Sequence, residues 1–234
     1  MKKIFINEKL LQLGTKIEEI TLGDFDQIGE FTAKKNRSPD KSLYKSVGCF
    51  FRPNYERGIL QYYLTKKFNY KKVLEIGFGR GYSTFCIAKS MCDNKIQGEI
   101  TTVDPNLNED FLNQLYKILP NEWFEKINFV KSTAEDFYKT NQEMNFDFIY
   151  IDGDHRYEAV KKDWEYSKDR FNQHVLFDDY HLPTKEIKDI ECAKLIDEIE
   201  GYEKELIFMD RRIFFDDRRI KDEDIDYGQV LIRK

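Results

Sequence analysis

Three short stretches carry residues whose types and spacing suit chemistry. The first is Glu75-Ile76-Gly77-Phe78-Gly79-Arg80-Gly81, an acid followed by three alternating glycines. The second is Ile151-Asp152-Gly153-Asp154-His155-Arg156-Tyr157-Glu158, and the third is Leu176-Phe177-Asp178-Asp179-Tyr180-His181. Alternating glycines let the backbone turn sharply and approach a ligand closely, where a Cβ would block it. A strand that ends in such a turn and opens a helix suits a nucleotide-like ligand. The other two stretches each follow an apolar run. Their carboxylates therefore belong at the carboxyl edge of a sheet, and if the two strands are neighbours their ends lie about 5 Å apart. Carboxylates that converge so closely repel unless a cation or another positive group shares the site. Oxygen ligands of this kind suit Mg²⁺ or Ca²⁺.

The glycine spacing discriminates between ligands. Dinucleotide-binding oxidoreductases carry G-x-G-x-x-G, whereas here the pattern is G-x-G-x-G with Glu75 two residues ahead of it. A pyrophosphate wants bare amides at a helix start; a carboxylate beside the loop favours a ligand that carries positive charge. Asp104, at the end of the next strand, is placed to accept hydrogen bonds from ribose hydroxyls.

On these residues the chain resembles the class I S-adenosylmethionine-dependent methyltransferases, whose cofactor carries an ammonium and a sulfonium. The resemblance implies cofactor contacts from Glu75, Gly77, Gly79, Gly81, Ser83 and Asp104. It also implies contacts on the adenine side from Ser132, Ala134 and Glu135 in the segment Val130 to Asp136. The run Asp-Gly-Asp-His-x-Tyr-Glu-Ala-Val resembles a subfamily related to the catechol and macrocin O-methyltransferases, which use a divalent metal to hold the acceptor's hydroxyls. By position, the implied Mg²⁺ ligands are Asp152, Asp178 and Asp179, the last standing where the family often has an amide. His155 takes the place of a lysine in the catechol-type enzymes and becomes the expected base, with Asp152 beside it and His181 as the substitute. Plainer roles stay open: Asp154 as a cap of the helix starting near Tyr157, His155 as an ordinary loop residue, and the acids working without metal, with Asp152 as a direct base.

The elements that must position these groups follow from hydrophobic patterning. Strands are expected at Lys72–Ile76, Ile100–Asp104, Ile127–Val130, Phe146–Asp152, Val175–Asp178, Leu206–Met209 and Gln229–Ile232. Helical segments are expected at Ser83–Met91 and Phe111–Leu119. Strands alternating with helices indicate parallel pairing, and near-continuous apolar strands indicate a sheet covered on both faces. The expectation is an α/β, Rossmann-like, seven-stranded, mostly parallel sheet with an antiparallel C-terminal pair and helices on both faces. Residues 1–56 read as a helical N-terminal cap, with a loop at Ala33–Asp40, and residues 57–234 as the class I methyltransferase domain.

Composition narrows the partners. A net charge of −5 over 234 residues argues against a broad basic face for nucleic acid. No run approaches the length of a membrane span, and the four cysteines, Cys49, Cys86, Cys92 and Cys192, have no metal or redox spacing. A reduced, cytoplasmic protein is expected, acting on a small hydroxylated acceptor such as a sugar or a natural product. Tyr55 and Arg52 are secondary candidates for acceptor contact. Phe214 and Phe215, in an otherwise charge-alternating loop, suit a homodimer contact or closure over the site, with a solvated hairpin loop as the plainer alternative. The competing readings are a metal-independent methyltransferase acting on nitrogen or another acceptor, a non-catalytic S-adenosylmethionine-binding protein, and an oxidoreductase.

Overall fold

Apolar strands need cover on both faces, and helices alternating with the strands supply it. The computed structural model describes residues 1–20, 55–117, 119–182, 189–210 and 227–234. The chain starts with β1 (Lys2–Phe5) and α1 (Ile6–Gln12), followed by α2 (Tyr55–Phe68), β2 (Lys72–Ile76) and α3 (Tyr82–Asp93). Next come β3 (Glu99–Val103), α4 (Glu109–Tyr116), α5 (Asn121–Phe124), β4 (Ile127–Val130), α6 (Ala134–Thr140) and β5 (Phe146–Ile151). The described chain ends with α7 (Tyr157–Ser167), β6 (Phe171–His181), α8 (Cys192–Glu198), β7 (Glu203–Phe208) and β8 (Tyr227–Arg233).

The strands form one sheet in the order β1-β7-β8-β6-β5-β2-β3-β4. Among the described residues, only the pairings of β8, with β6 and with β7, are antiparallel. All seven expected strands are present, and the antiparallel C-terminal pair is β7 with β8. Among the described residues the count is nevertheless eight, because Lys2–Phe5 adds a parallel edge strand against Glu205–Phe208. The residue pattern predicts no strand in that region. With a single buried side chain, Ile4, in four residues, β1 has no periodicity to detect. Lys2 and Lys9 both pair with Glu205 and tie the N-terminal segment to the sheet edge, Lys2 at 2.9 Å. Residues 21–54 of the expected cap, with Arg52 and the loop at Ala33–Asp40, lie outside the described residues, as do Phe214 and Phe215.

Parity along each strand decides what faces where. Val73, Phe148, Tyr150, Leu176 and Leu231 belong to a core shared with Ile59, Leu60 and Leu64 of α2 and Phe85, Ile87 and Met91 of α3. Their neighbours Leu74, Ile149, Val175, Phe177 and Val230 belong to a second core with Val160 and Trp164 of α7 and Leu195 and Ile196 of α8. Counting on by twos, Glu75, Asp152, Asp178, Tyr227 and Gln229 all fall on the first face, beneath α2 and α3. Order changes direction between β2, whose chain continues to β3, and its other neighbour β5. Such a switch point opens a crevice at the carboxyl ends of the strands.

Candidate active site at the carboxyl edge of the sheet

The loop after β2 is built by three glycines with positive φ: Gly77 at 94°, Gly79 at 51° and Gly81 at 80°. At Gly77 the need is double. An added Cβ would lie 2.1 Å from the carbonyl oxygen of Asp152, so the turn can pack on the β5 end only without a side chain. The amide of Asp152 also donates to the Ile76 carbonyl at 2.9 Å. The glycine loop and the first acid of the second motif therefore share one rigid rim.

Below the loop, Glu75 is buried. Its Oε2 accepts from Thr102 at 2.7 Å and from the hydroxyl of Thr84 on α3. Burial pushes this carboxyl up to about 7, against the downward pull of the two hydroxyl donors. Asp104 braces the loop from the β3 side: its Oδ2 accepts from the amides of Phe78 at 3.1 Å and Gly79 at 3.2 Å, and its Oδ1 from Asn106 at 2.7 Å. A groove of about 460 Å³ opens here, with Phe78, Gly79 and Asp104 on one wall and Asn106, Asn108 and Phe111 on the other. Asn108 sets that second wall by capping α4, accepting from the Phe111 amide at 2.9 Å. An aromatic ring, a carboxylate and amide side chains around such a volume suit a nucleoside.

The expected adenine-side residues lie at the β4 end. Ser132 bonds locally to the Thr133 carbonyl, Ala134 is buried at the start of α6, and Glu135 pairs with Lys139 at 2.7 Å. None of the three lines the groove. Ser83 sits in the first turn of α3, behind the loop.

The acids converge at the ends of β5 and β6. A register shift of β6 against β8, between Phe177 and Tyr180, places Asp178 and Asp179 at an irregularity, and Asp179 takes a left-handed φ of 52°. Irregular pairing and left-handed backbone re-aim side chains at such edges. Asp178 is almost wholly buried. Its Oδ1 accepts from Tyr227 at 2.7 Å and Gln229 at 3.1 Å, and its Oδ2 lies 3.0 Å from the Tyr150 hydroxyl and 2.5 Å from Arg57. Arg57 reaches on to Asp179 at 2.8 Å, and His155 Nε2 faces the other oxygen of Asp179 at 3.3 Å. Asp152 contacts the Tyr150 hydroxyl at 3.0 Å. Burial works upward on all three acids. On Asp178 it is outweighed by Arg57 and the donated hydrogen bonds, so that carboxylate stays below its usual range. Asp152 rises well above the usual range through burial and the adjacent Asp178, and Asp179 rises for the same two reasons.

Asp152, His155 and Asp179 bring one ligand atom each to within 4.8 Å of one another. The expected trio is different, and Asp178 as it stands offers no free oxygen to a metal. Asp154 does not cap α7. It accepts from the Arg156 amide at 3.0 Å and from its guanidinium, shaping the turn before the helix. The His181 ring lies 5.1 Å from that of Tyr227.

Four residues of this cluster, Arg57, Tyr150, Tyr227 and Gln229, were missed in the sequence. Tyr150 had a usable signal, being two residues before Asp152 and so on its face. Tyr227 and Gln229 repeat that spacing on β8, but the apolar pattern marks that strand only from Gln229, and β8 begins at Tyr227. Arg57 had none beyond an Arg-Gly pair on a helix. Among the described residues, no helix is long and apolar enough to cross a membrane.

Comparison with known proteins agrees with this geometry. Residues 74–180 match the family model for a methyltransferase domain. No curated protein matches the sequence. An O-methyltransferase from Bacillus cereus in complex with SAH aligns at a TM-score of 0.60 and 13% identity, over 98% of this chain and 97% of that one. TomG of Streptomyces achromogenes, an O-methyltransferase of tomaymycin synthesis in complex with SAM, aligns at 0.60 and 13%, over 97% and 95%. A putative caffeoyl-CoA O-methyltransferase from Staphylococcus aureus aligns at 0.55 and 18%, over 97% and 96%. At such identities the shared property is the fold. With residues 74–180 matching a methyltransferase-domain model, the chain is an enzyme of methyl transfer.

Proposed function

We propose that this methyltransferase uses S-adenosylmethionine to methylate a hydroxyl of a small molecule, a sugar or a natural product. The observation that carries the reading is the contact of Gly77 with the backbone of Asp152. A donor held on the glycine loop would be presented to an acceptor held at the acidic edge, because the two are parts of one rim. The groove beside Phe78 and Asp104 takes the adenosine, with Glu75 below for the positive end of the cofactor. The acceptor hydroxyl sits where Asp152, His155 and Asp179 converge. The O–CH₃ bond forms as the S–CH₃ bond breaks, sulfur keeps the electron pair, and the hydroxyl proton passes to Asp152 or to His155 beside it.

An Mg²⁺ on Asp152, Asp178 and Asp179 does not fit these side chains as they stand, because hydrogen bonds and Arg57 already take both oxygens of Asp178. No step is therefore assigned to a metal. Calorimetry with S-adenosylmethionine and S-adenosylhomocysteine, with NAD as the control, tests the cofactor. Turnover against a panel of phenols, sugars and amines tests the acceptor. Binding of NAD alone would return the chain to the oxidoreductases. Asp152→Asn is expected to lower turnover and to leave S-adenosylhomocysteine affinity unchanged.

A further inference from the structure

We propose that Arg57 is the built-in cation of the acidic edge, so that methyl transfer in this enzyme needs no divalent ion. The proposal rests on the O-methyltransferase reading above and adds to it the source of positive charge. Its guanidinium spans two carboxylates, 2.5 Å from Asp178 and 2.8 Å from Asp179, and its carbon lies 5.1 Å from the centre of the Tyr227 ring. A planar fork stacked on an aromatic face and bonded to two acids is pre-organised, and lysine would not reproduce it.

The helix carrying it is placed for the task. Gly58, the next residue of α2, has no Cβ, and one added there would lie 2.6 Å from Cys86 Sγ and 2.7 Å from the Tyr82 ring of α3. That bare backbone lets α2 lie close on α3, over the sheet face that carries Asp152 and Asp178, and Arg57 reaches the strand ends from there. Asp179 has its Oδ1 on Arg57 and its Oδ2 toward His155. A divalent ion among Asp152, His155 and Asp179 would therefore stand beside a fixed guanidinium and be repelled by it. The same charge stabilises the negative charge that grows on the acceptor oxygen as its proton leaves for Asp152 and the methyl group moves from sulfur to oxygen.

The test needs wild type, Arg57→Gln and Arg57→Lys, each with S-adenosylhomocysteine affinity measured by calorimetry. Free Mn²⁺ is followed by electron paramagnetic resonance during a titration of each protein. Wild type is expected to take up no stoichiometric Mn²⁺ and to turn over unchanged after EDTA. Arg57→Gln should lose roughly 100-fold in turnover, the scale of a lost charge-stabilising donor. It should keep its S-adenosylhomocysteine affinity and begin to bind Mn²⁺ on the freed carboxylates. Arg57→Lys should recover part of the rate. Stoichiometric, micromolar Mn²⁺ binding by wild type with EDTA-sensitive turnover would overturn the proposal, as would full activity in Arg57→Gln. If Arg57→Gln does not fold, the wild-type titration and Arg57→Lys still decide. Failure of wild type to bind S-adenosylhomocysteine is a separate result, which removes the underlying reading.

Discussion

Replacing Glu75 by glutamine is expected to make the ligand-free protein more stable while weakening its hold on the cofactor. Glu75 is buried, and burial raises its carboxyl from 4.5 to about 7. Between those values the folded state keeps a proton that the unfolded chain has released, so stability falls as pH rises from 4.5 toward 7 and stays low above it. The rise from 4.5 to about 7, at 1.36 kcal/mol for each step of one in pH, gives a cost of about 3 kcal/mol at pH 8.5. Glutamine is neutral at every pH and keeps a carbonyl oxygen for the hydroxyls of Thr84 and Thr102. Urea denaturation of both proteins at pH 5 and pH 8.5 supplies the measurement. The gain of the variant over wild type should grow by about 2 to 3 kcal/mol between the two. Calorimetry at pH 8.5 should show weaker binding of S-adenosylmethionine, which loses its buried counter-charge. Stability differences that are the same at both pH values would refute the argument, because they would mean that Glu75 ionises in the folded protein as it does in water.

Further measurements address other parts of the site. Gly77→Ala combines a left-handed φ, costing about 1–2 kcal/mol for a residue with a Cβ, with a clash against the Asp152 carbonyl; a much lower melting temperature and no S-adenosylhomocysteine binding are expected, and a wild-type melt would contradict the packing described. Asp104→Ala frees the amides of Phe78 and Gly79 and should weaken S-adenosylhomocysteine at least tenfold in calorimetry, the equivalent of about 1.4 kcal/mol. His174 bonds to the Tyr70 hydroxyl at 2.8 Å and is lowered from 6.5 to about 4, chiefly by burial. Its unfolded form takes up a proton first as pH falls, so stability should drop from pH 6.5 toward 4 by up to about 3 kcal/mol. His174→Gln should remove that part of the acid profile in urea titrations. Glu75 and His174 slope in opposite directions over this window, so each appears clearly only by difference from its own variant.

The sheet was legible because its strands are apolar runs of a length that water cannot cover, and because glycine and aspartate mark where each run stops. β2 and β4 end where the residue types say they should. β6 extends beyond its expected limits because β8 continues to pair with it as far as His181, and such a partner is invisible in the local pattern. The motifs were legible for a related reason: each is contiguous, so its spacing survives in one dimension. The neutralising group was not. The acids announce a need for positive charge, but Arg57 answers it from a helix far away in the chain, and only packing at Gly58 brings it there. Asp104 shows a subtler limit. Its place at the end of β3 was foreseeable, while its bonds to the loop amides depend on a register that composition does not encode.

The odd–even rule on β5 and β8 has a consequence for how such a site can change over time. Tyr150 and Asp152 alternate with Ile149 and Ile151, and Tyr227 and Gln229 with Gly228 and Val230. Point replacement at the positions facing α2 and α3 can therefore alter the acid–base inventory while the greasy set beneath α7 and α8 stays whole. Gain or loss of one codon inside either strand has the opposite outcome, since it would turn the carboxylate and hydroxyls into the oil and the isoleucines into the crevice. Lineages descended from this chain should accordingly show exchanged letters within these strands and altered lengths only between them.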